Sequence, residues 1–395
     1  MKKTKSFSRV MVVLVMVMLI NALSYGTIIP LLYPYASRFG LNPTGLGFLF
    51  ASFSLCQFIA TPIIGRLSDK YGRRPLLIIS LIGTTISLSL FASAQSVIML
   101  FIARMLDGIT GGNMSVAQAV IADSQKPEDR AKWFALLGAS FGFGFLIGPA
   151  LGGVLSQYGL TVPFWVAAVI SAVGAVMALT MLPETRVEDS ALVKKKEKLI
   201  DPVRLVTALR APTTGILLAI TLVAAIGQNA FVIGFQSVTV DVLKFSPTKI
   251  GLIFTGFGIA NILMQGLGIK YLLKYFSSKK LLKWSLLLGS IFVGLMGFAI
   301  HPTPFLMILG FYMFIPPSFP FISGMISGAT KDEDQGGILG LSQAYTSLGQ
   351  IIGPILAGLA TAVYVPAAFW FAAIVWLFGV YLMKYIPEKA SKINL

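Results

Sequence analysis

Eight long stretches of this chain contain no Asp, Glu, Lys or Arg: residues 10–37, 39–65, 75–103, 133–183, 211–240, 250–269, 284–330 and 336–383. A helix needs about 20 apolar residues to cross about 30 Å of hydrocarbon, so each run is long enough to span a bilayer. The three runs of about fifty residues must each hold two spans, divided near 157–163, 301–304 and 361–366. Twelve helices follow, near 10–32, 45–65, 75–94, 97–122, 133–156, 161–182, 213–236, 248–270, 281–300, 304–327, 337–360 and 364–386; they are called spans 1 to 12 below. Composition agrees: 56% of residues are hydrophobic and 12% charged, against about 45–50% and about 25% in a soluble chain.

The net charge of +16 would suggest a nucleic-acid partner if the basic residues formed one patch. They do not. With twelve spans the connections alternate sides, and 27 of the 31 Lys and Arg fall on the side of the two termini. Arg38, Lys244 and Lys249 fall on the other side, and Arg104 lies within span 4. The positive-inside rule therefore predicts a multi-pass plasma-membrane protein with both termini cytoplasmic. Span 1 follows Lys2, Lys3, Lys5 and Arg9 like a signal peptide, but it is too long and lacks a small-residue cleavage site, so it reads as a retained span.

The chain repeats internally. Gly144, Gly148-Pro149 and Gly153 in span 5 recur as Gly349, Gly353-Pro354 and Gly358 in span 11, 205 residues later. Glu128-Asp129 before span 5 matches Glu333-Asp334, and Pro183-Glu184 after span 6 matches Pro387-Glu388. The domains expected are a six-helix bundle over 1–182, a charged cytoplasmic linker over 183–212 holding the run Lys194 to Lys196, and a second bundle over 213–395. Two pseudo-symmetric halves are the architecture of a secondary transporter, with substrate held near the midplane.

After span 2 the sequence shows Gly65, Asp69, Gly72, Arg73, Arg74 and Pro75. This pattern resembles the signature loop of the major facilitator superfamily. Gly65 would permit close helix approach, Gly72 a tight turn, and Asp69 can pair with nearby guanidinium groups. Span 5 carries Gly144, Gly148-Pro149 and Gly152-Gly153, which is similar to the antiporter motif of that family, where small residues allow close helix packing around a kinked backbone. Residues 57–183 as a whole resemble the drug:proton antiporter branch, tetracycline and multidrug exporters above all. The resemblance implies an all-α integral membrane protein of the major facilitator fold. It also implies that Asp123, at the end of span 4, joins Asp69 and Arg73 in a surface charge network controlling a conformational switch.

Other chemistries are poorly supplied. One Cys (Cys56) and one His (His301) exclude a disulfide framework and leave little for metal binding or acid–base catalysis. No metal site is expected, and no enzyme, since no nucleophile and base share a pocket. There is no phosphate loop of the Gly-Lys-Ser/Thr type, so no ATP site or cofactor is expected, and the energy source is read as a proton gradient.

An ionisable group in a span costs at least about 2.5 to 3.5 kcal/mol at the helix centre, so it needs a reason. Arg104 and Asp107 are the two that lie deep, three apart on one face of span 4. An unbroken helix would continue that face through Gly108, Gly111, Ser115, Gln118 and Ala122, with Asn113 pointing away. The pair is open to three readings: a structural ion pair, a proton-coupling site in which Asp107 takes and releases the proton beside Arg104, or a contact to cationic substrate. Proton coupling is physically coherent, because burial and the neighbouring cation pull Asp107 in opposite directions and a change of hydration decides between them.

In family members spans 1, 4, 7 and 10 commonly line the cavity, which nominates Asn21 and Tyr25, Ser115 and Gln118, Gln228, Asn229 and Gln236, and Tyr312. Gln57 in span 2 stands where tetracycline exporters also show Gln. Each of these could equally serve as an interhelical hydrogen bond. Pro316, Pro317 and Pro320 predict a bent segment in span 10. Tetracycline exporters carry membrane acids in helices 1, 3 and 9; here the places hold Asn21, Ser87 and no acid, which argues against tetracycline itself. The function expected is proton-coupled efflux of small amphipathic compounds or drugs by alternating access, from a monomer whose partners are the lipid bilayer, H⁺ and a small-molecule substrate. A transporter of a sugar or lipid-like metabolite, or a non-transporting membrane sensor, are the alternatives.

Overall fold

The structure is a computed structural model, which describes residues 2–185, 202–330 and 334–386. The Lys194 to Lys196 run, Asp332-Glu333 and Pro387-Glu388 lie outside the described residues. All regular elements among the described residues are helices. Among the described residues, eleven helical stretches, from Val10–Phe39 to Ala367–Tyr385, are long and apolar enough to cross a membrane. Span 9 is Ser278–Met296, whose first two turns carry Lys279, Lys280 and Lys283, so its apolar run is shorter.

Large apolar side chains remain exposed along whole helices, as the stripe Val169, Val173 and Val176 in span 6 shows. Stripes of this kind exceed what a water-facing surface carries and suit a lipid solvent. Beneath them the first unit has a hydrophobic core, in which Leu14, Val17 and Met18 of span 1 meet Leu77 and Leu81 of span 3 and Val120 and Ile121 of span 4.

Two predicted spans are broken. Span 4 consists of Val97–Thr110 and Asn113–Ser124, interrupted at Gly111-Gly112. Two successive glycines give the helix little reason to continue. The face of Arg104 and Asp107 therefore stops at the break, and Ser115, Gln118 and Ala122 belong to a separate helix. Span 10 consists of Pro302–Met313 and Ser318–Gly328, parted at Pro316-Pro317 where the backbone lacks donors. A serine services each break: Ser80 meets the Thr110 carbonyl and Asn113, and Ser285 donates to the Pro316 carbonyl at 2.6 Å.

The chain packs as two compact units, one of Met1–Gly40, Leu55–Ile200 and Ser246–Gly258, the other of Leu41–Ser54, Asp201–Phe245 and Ile259–Leu395. Each unit thus borrows the first part of one helix, span 8 or span 2, from the other half of the sequence. The glycine repeat explains both grafts. In the first unit a Cβ on Gly144, Gly148 or Gly152 would overlap the backbone of span 1 at Ala22, Gly26 or Thr27, and Gly153 faces Thr248 and Gly251 of span 8. In the second, Gly349 and Gly353 meet span 7 at Ala225 and Ile226, and Gly358 faces Thr44 and Gly47 of span 2. The hydrogen bonds repeat too: Thr248 Oγ1 donates to the Gly153 carbonyl at 2.9 Å, and Thr44 Oγ1 donates to the Gly358 carbonyl at 2.8 Å. Pro149 lies inside the unbroken helix Pro127–Leu155.

Within the stretch read as a linker, Pro202–Ala208 is a short helix, tied to span 11 by the Tyr345 hydroxyl donating to the Leu205 carbonyl at 2.6 Å.

Candidate functional site

The deep charges of span 4 meet. Arg104 NH1 donates to Asp107 Oδ2 at 2.9 Å, and the two side chains are 3% and 5% exposed. A three-residue separation in Val97–Thr110 puts both on one face, one turn apart. The pair is embedded in further polar groups. Tyr25 of span 1 lies beside Arg104, and Thr84 of span 3 lies beside Asp107. Ser87, one turn along from Thr84, donates to the Ala103 carbonyl at 2.7 Å and fixes span 3 against the pair's helix. Tyr25 also packs edge-on against Phe145 of span 5. Four helices therefore frame one ion pair, and a group bound to Tyr25 would act on Asp107 through Arg104.

Gln57 donates from Nε2 to the Gly111 carbonyl at 3.1 Å, where the glycine break has freed an acceptor. Ser115 donates to the Gly112 carbonyl at 2.8 Å within its own turn, and Gln118 is exposed. Asn21 is half-buried, one turn before Tyr25. Asn113 is buried and bonded to Ser80 of span 3.

In the second unit Tyr312 of span 10 lies beside Gln228 of span 7. Aromatic rings flank the Tyr312 ring, with the centroids of Phe231 at 4.8 Å and Trp376 at 6.3 Å. Asn229 donates to the Ala225 carbonyl of its own helix at 2.9 Å, and Gln236 is fully enclosed. Thus Tyr312 and Gln228 come together, while Asn229 and Gln236 are engaged in or enclosed by their own bundle.

At the start of span 3 the residues of the signature loop assemble around one guanidinium. Arg73 pairs with Asp69 at 2.6 Å and with Asp123 at 2.8 Å, and its NH1 donates to Ser68 Oγ at 2.7 Å. Arg74 reaches the Leu179 carbonyl at the end of span 6. Gly72 has φ +107°, and a Cβ there would strike the Glu184 carboxylate. That carboxylate accepts the backbone N–H groups of Arg73 at 2.9 Å and Arg74 at 3.2 Å, capping helix Arg73–Ala92. Gly65 does not make the close approach its position suggested: nothing lies within 4 Å of where its Cβ would sit.

Sequence reasoning missed Thr84, Ser68 and Glu184. The first two are common residues inside helices, with no local signal. Glu184 had one, the recurrence of Pro-Glu after spans 6 and 12, but its partners are 110 residues away in sequence. Capping by a carboxylate is worth about 0.5–2 kcal/mol. Glu184→Ala is therefore expected to lower stability by about that amount in denaturant unfolding, with Glu184→Gln recovering part of it.

An all-helical chain with apolar spans, paired glycine-rich helices and a buried ion pair defines a membrane transporter built by duplication. The sequence pattern of the Major Facilitator Superfamily matches residues 14–239 and again 217–394, and the chain belongs to that superfamily. It is 30% identical over 378 residues to the quinolone resistance protein NorA of Staphylococcus aureus (strain MSSA476), covering 94% of this chain and 95% of the relative. It is 28% identical over 361 residues to the class E tetracycline resistance protein of Escherichia coli, covering 88% and 87%. Among solved structures, nucleoside transporter NupG superposes with a TM-score of 0.77 at 13% identity, over 95% of this chain and 98% of that one. The human organic anion transporter MFSD10 superposes with a TM-score of 0.68 at 22% identity, over 95% and 99%. The chain is accordingly a multi-pass membrane transporter and not an enzyme.

Proposed function

We propose that this transporter exports small amphipathic, drug-like compounds in exchange for protons. The observation that carries the reading is the Arg104–Asp107 pair: a carboxylate buried among Arg104, Tyr25 and Thr84, in a chain alike along 94% of its length to a quinolone resistance protein. A buried carboxylate beside a cation changes its proton occupancy when water or a ligand enters, because both burial and pairing are altered together. Asp107 is the proton carrier in this scheme. Arg104 reports ligand engagement to it, since a ligand that takes the Tyr25 hydroxyl or the guanidinium weakens the hold on the carboxylate.

The Tyr312 and Gln228 pair with the rings of Phe231 and Trp376 supplies an apolar, aromatic wall with one polar handle, suited to flat aromatic solutes. Arg73, Asp69 and Asp123 form the latch that is broken and remade as transport proceeds, with both termini on its side of the membrane.

The test is a panel of fluoroquinolones, dyes and neutral lipophilic drugs in proteoliposomes under an imposed pH gradient. At least one compound is expected to move against its own gradient, accompanied by dissipation of the pH gradient. Movement of a sugar or other metabolite with no competition from any drug would replace this reading.

A further inference from the structure

The two halves treat their corresponding surface turns in opposite ways. The turn after span 2 is neutralised from within: Arg73 has Asp69 and Asp123, and the amides of Arg73 and Arg74 have Glu184. The turn after span 8 is its structural counterpart. Pro43-Thr44 at the start of span 2 recurs as Pro247-Thr248, 204 residues on, and Ser80 recurs as Ser285, 205 residues on, each pair making matching bonds. Either spacing places the position of Asp69 on Leu273 or Lys274, and that of Asp123 on Ser327 or Gly328. No acidic residue occurs anywhere between Asp241 and Asp332. Among the described residues, no carboxylate pairs with Lys270, Lys274, Lys280 or Lys283, and all four are exposed.

The lysines are interleaved with rings. Tyr271 and Tyr275 are exposed and packed together, with centroids 5.2 Å apart. Lys280 Nζ lies over the packed rings of Phe276 and Trp284, at 4.9 and 5.0 Å from their centroids. Lys279 Nζ donates to the Ile386 carbonyl at 2.8 Å, bringing the end of span 12 alongside, where Lys384 lies over the exposed ring of Tyr381. Tyr and Trp favour the headgroup layer of a bilayer, and clustered lysines at the end of a span attract anionic lipid.

We propose that this turn is a binding site for the phosphate headgroup of an anionic phospholipid, which supplies to the second half the negative charge that Asp69 and Asp123 supply to the first. Lys274 and Lys280 hold the phosphate, and the tyrosines seat the glycerol and upper acyl chains. Bound there, the lipid braces the span 8 to span 9 turn against the end of span 12.

The test uses the full chain in detergent, titrated with phosphatidylglycerol or with phosphatidylcholine of the same acyl chains, reading thermal unfolding and lipid retained in native mass spectrometry. Phosphatidylglycerol is expected to raise the unfolding temperature in a salt-sensitive way, phosphatidylcholine and inorganic phosphate not. Lys274→Gln/Lys280→Gln is expected to weaken retention roughly thirty-fold, with an unchanged unfolding temperature when lipid is absent. Lys274→Arg/Lys280→Arg should retain the lipid. Lys126→Gln/Lys132→Gln, which removes equal charge elsewhere, should also retain it. The proposal is overturned if the Gln pair keeps the lipid, if the control pair loses it equally, or if phosphatidylcholine or inorganic phosphate stabilises as well as phosphatidylglycerol.

Discussion

Asp107→Asn is expected to abolish concentrative transport, bringing drug movement under an imposed pH gradient down to that of protein-free vesicles, while substrate-for-substrate exchange stays within about threefold of wild type. The asparagine has the carboxylate's shape and retains an oxygen for Arg104, so the packing of the helices is kept, although the guanidinium loses its counter-charge and the variant should be less stable than wild type. It cannot take up or release a proton at neutral pH, so a cycle that requires protonation change at this residue loses its link to the gradient. Exchange needs the halves to move but needs no net proton transfer, and so survives. The comparison separates coupling from structure in one variant. Concentrative transport at the wild-type rate would remove Asp107 from the mechanism and leave the pair a structural role.

The second large effect concerns stability. Arg104→Met alone should destabilise the protein by about 3–5 kcal/mol, because it leaves a carboxylate sealed away from water without its cation. Protonation of Asp107 at lower pH relieves the strain, so the defect should shrink as pH falls. The double variant Arg104→Met/Asp107→Leu removes both charges and fills the space with apolar groups; it should unfold close to wild type. Chemical unfolding of the wild type, both single variants and the double variant forms a cycle whose interaction energy measures the pair. A double variant as damaged as the sum of the singles would show that the two side chains act independently. Loss of transport in a stable double variant would show that the charges are kept for function.

Much of the architecture was legible along the chain because a bilayer imposes a length and a polarity on every segment that crosses it. The absence of charge located the spans, and the 205-residue recurrence of Gly148-Pro149 as Gly353-Pro354 revealed the duplication. The Arg104–Asp107 pair was equally legible, since helical spacing alone brings residues three apart together. The break at Gly111-Gly112 was not. Glycines are common in membrane helices as packing residues, and the sequence does not distinguish one that admits a neighbour from one that ends a helix. In this chain Gly152 admits Thr27, while Gly111 marks the end of Val97–Thr110 and exposes a carbonyl that Gln57 takes.

The sequence by itself determined that the chain lives in a membrane, crosses it in two related sets of helices, and keeps one carboxylate and one guanidinium deep within. Those properties follow from composition and period, which are summed over neighbours in the chain. What surrounds the pair, Tyr25 from span 1 and Thr84 from span 3, was decided by tertiary packing. So was the cap that Glu184 places on span 3, and the exchange of helix ends between halves through Gly153 and Gly358. Contacts of that kind join residues tens to hundreds of positions apart, and they are selected by shape and hydrogen-bond geometry once the helices are assembled.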